Sequence, residues 1–176
     1  ETGEQIDTFT EEKLKYIKER NWEYMICAVC AKNGFLRAIK WLSSQDPPCH
    51  LDEKIFELAT SNGNLNILQW LSSQDPPCHW DKDICYQIAI QQGHLNVLKW
   101  LRKQDPHFPW NESVCNDAVE NGLNGHLHIL KWLRAQDPPC PWDERLCKTA
   151  AQNGHLHILQ WLREQDPPCP WDERVC

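Results

Sequence analysis

Residues 142–170 read WDERLCKTAAQNGHLHILQWLREQDPPCP, and the order of signals in this stretch decides the fold. Trp142 is followed by Asp143, a residue type that caps helix N-termini by accepting from the first orphan amides. An apolar run then begins, with Leu146, Cys147, Ala150 and Ala151 spaced for one side of a helix. Asn153-Gly154 stops it, because glycine takes the left-handed cap conformation without a Cβ penalty. A second helical stripe follows in Leu156, Ile158, Leu159, Trp161 and Leu162. Gln165-Asp166-Pro167-Pro168 ends that stripe, since a following proline disfavours helix at Asp166 and itself lacks an amide. The stretch therefore predicts two short helices joined by a glycine turn.

The same unit recurs along the chain. Its second-helix tryptophans fall at Trp41, Trp70, Trp100, Trp132 and Trp161, at intervals of 29, 30, 32 and 29. The 30 reads as one extra residue within YQIAIQQG (86–93), and the 32 as a duplicated turn, NGLNG (121–125). Caps are expected at Asp52, Asp81, Asn111, Asp143 and Asp172, and turn glycines at Gly34, Gly63, Gly93, Gly122 and Gly154. The implied organisation is an N-terminus over 1–8, a capping helix over 9–21, and a repeat array over 22–176. The opening Glu1-Thr2-Gly3 reads as a cloning or processing remnant, and 1–8 as disordered. The helix over 9–21 starts at a capping box, Thr8-x-x-Glu11. The array holds about five units and the start of a sixth, with its last apolar face uncapped, as in a fragment of a longer array.

Composition excludes several classes. A net charge of −7 without a Lys/Arg cluster argues against nucleic acid as a partner, because phosphate neutralisation needs a basic surface. No apolar stretch reaches 18 residues, so membrane insertion is not expected. There is no Gly-rich phosphate loop, no H-E-x-x-H and no serine elbow, and most acids sit at helix starts where the dipole explains them. The expectation is a non-enzymatic chain with no cofactor, monomeric, with end-to-end association through the C-terminal face as its one route to self-assembly. An intracellular setting is favoured over a secreted one.

Within the repeats, AAQNGHLHILQWLREQ (150–165), IQQGHLNVLKWLRKQ (90–104) and ATSNGNLNILQWLSSQ (59–74) resemble the A-A-x-x-G-H-L-x-V-V-x-L-L-L core of the ankyrin repeat family. The resemblance covers about residues 22 to 170. It implies an all-α, ankyrin-like helix–turn–helix repeat solenoid that binds a protein or peptide partner. The helix-opening Thr-Pro-Leu-His of that family is absent, and the unit is shorter than the usual ~33 residues. Short loops in place of the β-hairpins are therefore expected. Two further readings are a secreted, disulfide-stabilised receptor or adhesin module, and a substrate-recruiting arm of a larger enzyme complex such as a ubiquitin ligase.

Ten cysteines raise a separate question. Cys49, Cys78, Cys140 and Cys169 sit in the Gln-Asp-Pro-Pro-Cys loops, while Cys27, Cys85, Cys115, Cys147 and Cys176 sit on first helices. If oxidised, the nearest pairs in sequence are Cys78–Cys85, Cys140–Cys147 and Cys169–Cys176. Against bridging, Phe56 replaces one helix cysteine where Cys49 remains, and Phe108 replaces one loop cysteine where Cys115 remains. That pattern favours a small apolar niche, since free cysteine packs as a hydrophobe. Zinc candidates are His126/His128, His155/His157, Cys49-His50 and Cys78-His79, none in a zinc-finger arrangement, so no metal site is assigned. Asn111-Glu112-Ser113 is a glycosylation sequon that matters only in a secreted protein.

The candidate binding surface follows from what varies between units. Counting from the first-helix Trp, offsets 4, 5, 8 and 9 stay apolar or small, while offsets 3, 6, 7 and 10 vary and share the opposite helical face. They give Met25 and Val29; Lys54, Glu57 and Leu58; Asp83, Tyr86 and Gln87; Ser113, Asn116, Asp117 and Glu120; Arg145, Lys148 and Thr149. By resemblance to ankyrins this face is concave, with Tyr86 as the expected anchor.

Overall fold

The computed structural model describes residues 23–46, 48–105, 109–120 and 126–170. The expected N-terminal remnant, the capping helix over 9–21, Phe108, Gly122, Asp172 and Cys176 lie outside the described residues. Among those described, ten helices and no strands are present. They are α1 (Glu23–Asn33), α2 (Leu36–Ser43), α3 (Glu53–Ser61), α4 (Leu65–Ser72), α5 (Lys82–Gln91), α6 (Leu95–Gln104), α7 (Glu112–Glu120), α8 (Leu127–Arg134), α9 (Glu144–Gln152) and α10 (Leu156–Arg163). The described residues are all-helical, in helix pairs that follow the sequence repeat. It divides into two compact units, residues 1–85 and 86–176, and the division falls inside α5. In the first unit α1 packs on α2 and α3, and α3 on α4. In the second α7 packs on α8 and α9, and α9 on α10.

Local signals act as the sequence implies. Asp52, Asp81 and Asn111 accept through Oδ1 from the amides of Ile55, Ile84 and Val114 at 3.1, 3.0 and 3.2 Å, and Asp143 from Arg145 at 3.0 Å. Each such cap is worth about 1 kcal/mol. First helices end in a turn whose closing amide reaches back five residues: Phe35 to Cys30 O, Asn64 to Ala59 O, His94 to Ala89 O and His155 to Ala150 O, at 2.8–2.9 Å. In the fourth repeat the His126 amide makes the equivalent bond to Ala118 O at 2.7 Å, although three more residues intervene.

Second helices close differently. The Gln side chain of Gln-Asp-Pro-Pro donates to the carbonyl of the second-helix tryptophan in Gln45–Trp41, Gln74–Trp70, Gln136–Trp132 and Gln165–Trp161, at 2.7–2.9 Å. The loop cysteine's amide then donates to the leucine seven residues earlier, as in Cys78 to Leu71 O at 3.2 Å and Cys140 to Leu133 O at 3.1 Å. The glutamine satisfies a terminal carbonyl that the helix itself leaves open.

The core sits where first and second helices face each other. In the first unit Ile26, Cys27, Cys30, Ala31, Ile39, Leu42, Ile55, Phe56, Ala59, Ile67, Leu68 and Leu71 are buried. In the second Val97, Leu98, Leu101, Val114, Cys115, Ala118, Ile129, Leu130, Leu133, Leu146, Cys147 and Leu162 are. A fully buried Ile or Leu contributes roughly 1.5–3 kcal/mol, so these residues dominate cohesion. The second-helix tryptophans are half-buried and take edge contacts, with Trp110–Trp132 centroids 5.9 Å apart and Trp142–Trp161 6.0 Å. The Arg134 guanidinium lies 3.8 Å over Trp142, and Arg102 4.8 Å over Trp110.

Helix α5 departs from the expected register. Counted from the carbonyl that closes each turn, buried positions recur at that residue, one after it, and three and four before it. For Ala59 these are Thr60, Phe56 and Ile55; for Ala89 they are Ile90, Tyr86 and Cys85. The extra residue of the third repeat is therefore absorbed at the start of α5, between Asp81 and Cys85, and not within 86–93 as the spacing suggested. The helix is 10 residues long where α3 is 9.

Candidate interaction surface

The structure places Met25, Val29, Lys54, Asp83, Gln87, Ser113, Glu120, Arg145 and Lys148 in exposed positions. Glu57, Leu58, Asn116, Asp117 and Thr149 are half-buried. Tyr86 is the correction. It is 0% exposed, its ring meets Trp110 edge-on at 5.7 Å, and its hydroxyl donates to Asp105 O at 3.3 Å. Burial raises its phenol well above the ordinary range. A side chain so enclosed anchors the fold and not a partner. The register shift explains the misreading, because counting from Trp80 carries α5 one residue out of phase. Counted from the turn, the third repeat's outward positions are Ile84, Gln87, Ile88 and Gln91. Ile84 is 39% exposed, unusual for an isoleucine on a first helix.

Charge is unevenly distributed on these faces. On α1, Met25 and Val29 are apolar and exposed, while Tyr24 donates to Asp52 Oδ1 at 3.4 Å. On α3, Lys54 pairs with Glu57 at 2.7 Å, and that bond raises the ammonium above its ordinary value. In the second unit, Asp117 and Glu120 on α7 stand on the helix packed against α9, which carries Arg145 and Lys148. Arg145 is held by Asp143 at 2.6 Å. Partial burial pushes the Asp117 carboxyl up, opposed by a hydrogen bond from Gln91 and reinforced by Glu120.

Two of the histidines considered for zinc meet backbone carbonyls instead. His126 Nε2 lies 2.9 Å from Gln91 O and His128 Nε2 3.1 Å from Gly93 O, so both rings meet the preceding repeat's first-helix end. Asn64, at the position equivalent to His126, donates to Ala31 O at 2.7 Å and Lys32 O at 3.0 Å. These side chains tie one repeat to the next within a unit. Among the described residues no group of three or more His, Cys, Asp or Glu side chains is placed to hold a metal ion. No helix among them is long and apolar enough to cross a membrane. Asn111, the sequon asparagine, is exposed, with Oδ1 accepting from Ser113 Oγ at 2.6 Å.

The cysteines pair otherwise than their sequence neighbourhood suggested. Cys27 and Cys49 form a disulfide, with Cα atoms 6.8 Å apart. Cys140 lies against Cys115, with Sγ atoms 2.7 Å apart, and not against Cys147. Cys147 shares a side-chain hydrogen bond with Cys169, and the expected Cys169–Cys176 pair includes Cys176, outside the described residues. Cys78 and Cys85 do not bond each other: Cys78 Sγ faces Asp52 O at 3.3 Å, and Cys85 bonds the Thr60 hydroxyl. Cys78, Cys85, Cys115, Cys140, Cys147 and Cys169 are buried thiols outside any disulfide, whereas Cys27–Cys49 is bonded and pairs a first helix with its own closing loop.

No protein-family model, curated protein or solved structure matches the chain.

Proposed function

We propose that this chain is a non-enzymatic binding module, an ankyrin-like helix–turn–helix solenoid that presents the outward faces of its first helices to a protein or peptide. One observation carries the reading: with the third repeat counted from its turn, the first-helix positions that vary between repeats are exposed or half-buried, while those that stay apolar or small are buried, apart from half-buried Ala151. Variation confined to one face of stacked first helices is what a scaffold with a changeable contact surface requires. The contact residues are Met25 and Val29 on α1; Lys54, Glu57 and Leu58 on α3; Ile84, Gln87 and Ile88 on α5; Ser113, Asn116, Asp117 and Glu120 on α7; and Arg145, Lys148 and Thr149 on α9. The neighbouring acidic α7 and basic α9 favour a partner segment of mixed charge over a uniformly charged polymer.

The test compares two charge-reversal variants for their bound partners. Glu120→Lys with Lys148→Glu alters the first-helix face, whereas Lys99→Glu with Lys131→Glu alters exposed positions on second helices α6 and α8. A partner lost only by the first variant supports the proposal. A partner lost only by the second overturns it.

A further inference from the structure

We propose that Cys115–Cys140 and Cys147–Cys169 close as disulfides equivalent to Cys27–Cys49, so that three repeats carry the same staple between first helix and closing loop. The equivalence is positional. Cys27, Cys115 and Cys147 each lie three residues before the carbonyl that closes the first-helix turn, those of Cys30, Ala118 and Ala150. Cys49, Cys140 and Cys169 each donate their amide to the leucine seven residues earlier, Leu42, Leu133 and Leu162. The first pair is bonded across 22 residues. The second spans 25, the difference being the duplicated turn, and its sulfurs are already inside van der Waals contact at 2.7 Å. The third shares a thiol–thiol hydrogen bond. All six sulfurs are buried.

The remaining two repeats carry an aromatic residue at the helix position. At the two equivalent positions the second repeat carries Phe56 and Cys78, and the third carries Tyr86 and Phe108. Within 22–170, no cysteine occupies the helix position without a cysteine in its loop. A niche needing only apolar volume would let the two positions vary independently. Where the helix residue is aromatic the space is filled by a ring, as with Phe56 stacked on Trp80 at 5.1 Å. Cys78 then has no sulfur to meet, and burial pushes its thiol up to about 11 and that of Cys85 to about 12. Neither is a nucleophile near neutral pH.

Closure is a thiol–disulfide exchange with a small-molecule disulfide or the disulfide of a thiol oxidoreductase. The hydrogen bond from Cys169 favours the thiolate form of Cys147, and Cys147, buried in the closed fold, attacks the oxidant when local opening exposes its sulfur. It bonds one sulfur of the oxidant and expels the other as a thiol. Cys169 loses its proton, attacks Cys147 Sγ and expels the second thiol. Two thiol protons and two electrons leave the protein, and the oxidant becomes two thiols. Three such bridges place the working state of the chain in a compartment that supplies this oxidant.

Peptide mapping decides the matter without any mutation. The full chain is equilibrated at neutral pH with oxidised and reduced glutathione, then unfolded in guanidinium with N-ethylmaleimide. Six of the ten cysteines should be protected, giving four additions before reductant and ten after it. The linked peptides should be Cys27–Cys49, Cys115–Cys140 and Cys147–Cys169. Eight or ten additions, or a Cys78–Cys85 or Cys140–Cys147 peptide, overturns the proposal. Cys147→Ser should yield five additions, the fifth on Cys169, with the other two bridges intact; Cys169 protected in that variant also overturns it.

Discussion

Helices α3 and α5 begin alike and bury different faces. Each follows a capping aspartate, Asp52 or Asp81, whose carboxylate accepts from the amide three residues on. In α3 that third residue, Ile55, is wholly buried; in α5 it is Ile84, 39% exposed. What the two share is distance from the glycine turn, so the buried face is phased from the C-terminal end. The physical reason lies in what each end contacts. The cap satisfies amides that water would otherwise serve. The turn is fixed by a backbone bond and by neighbours at contact distance: a Cβ on Gly34 would meet Asn64 Oδ1 at 2.8 Å, and one on Gly93 would meet the His126 ring at 2.7 Å. A cap can move one residue along the chain; the turn cannot.

Deletions break the comparison most directly. Removing Gln87, on the turn side of Tyr86, swings Cys85 and Tyr86 about 100° away from Ala89 and Ile90. It should abolish cooperative unfolding of the third repeat, read by hydrogen exchange at Ala89 and Leu98. Removing Asp83 restores the length of α3 and should cost within about 1 kcal/mol. Equal effects from the two deletions would refute phasing from the turn. Next in size is Tyr86→Ala, which should lose about 3–5 kcal/mol in urea denaturation, as a buried aromatic does. Met25→Ala, at an exposed site, should stay within about 0.5 kcal/mol.

Gly93→Ala and Gly154→Ala sharpen the same point. Both have positive φ, 79° and 71°, but only the Gly93 site is crowded, with nothing within 4 Å of a Cβ at Gly154. The second should cost about 1–2 kcal/mol for the left-handed backbone alone. The first should cost measurably more, and His126→Ala in the same chain should recover part of the difference.

The smallest effect is a pH slope. Burial raises Asp117, so the folded chain binds its proton more tightly than the unfolded chain does. That contribution is fully present below the unfolded value, near ~4, and is lost as pH rises through the folded value. Asp117→Asn should therefore be the more stable form at pH 7, with the gap closing toward pH 3. A gap that widens on acidification would reverse the assignment.

The two-helix unit was legible because its signals are local. Caps, glycine turns and apolar spacing each act within a few residues of chain. Tyr86 was misread because an extra residue between a cap and a turn can be absorbed at either end, and periodicity alone does not say which. The sulfur partners were misread for a different reason: cysteines seven apart flank the start of a helix, whereas those 22 apart meet because the hairpin folds the loop back onto it. The repeat-by-repeat companions Cys/Cys, Phe/Cys and Tyr/Phe at that spacing were the available signal. The outward face was readable wherever the phase was right.

The bond from the His126 amide to Ala118 O forms across a turn three residues longer than its counterparts. The join between the two helices of a repeat thus behaves as a port: chain can be added there while the helices on either side keep their register. The other repeats, whose turns close in five residues, offer the same port already shut.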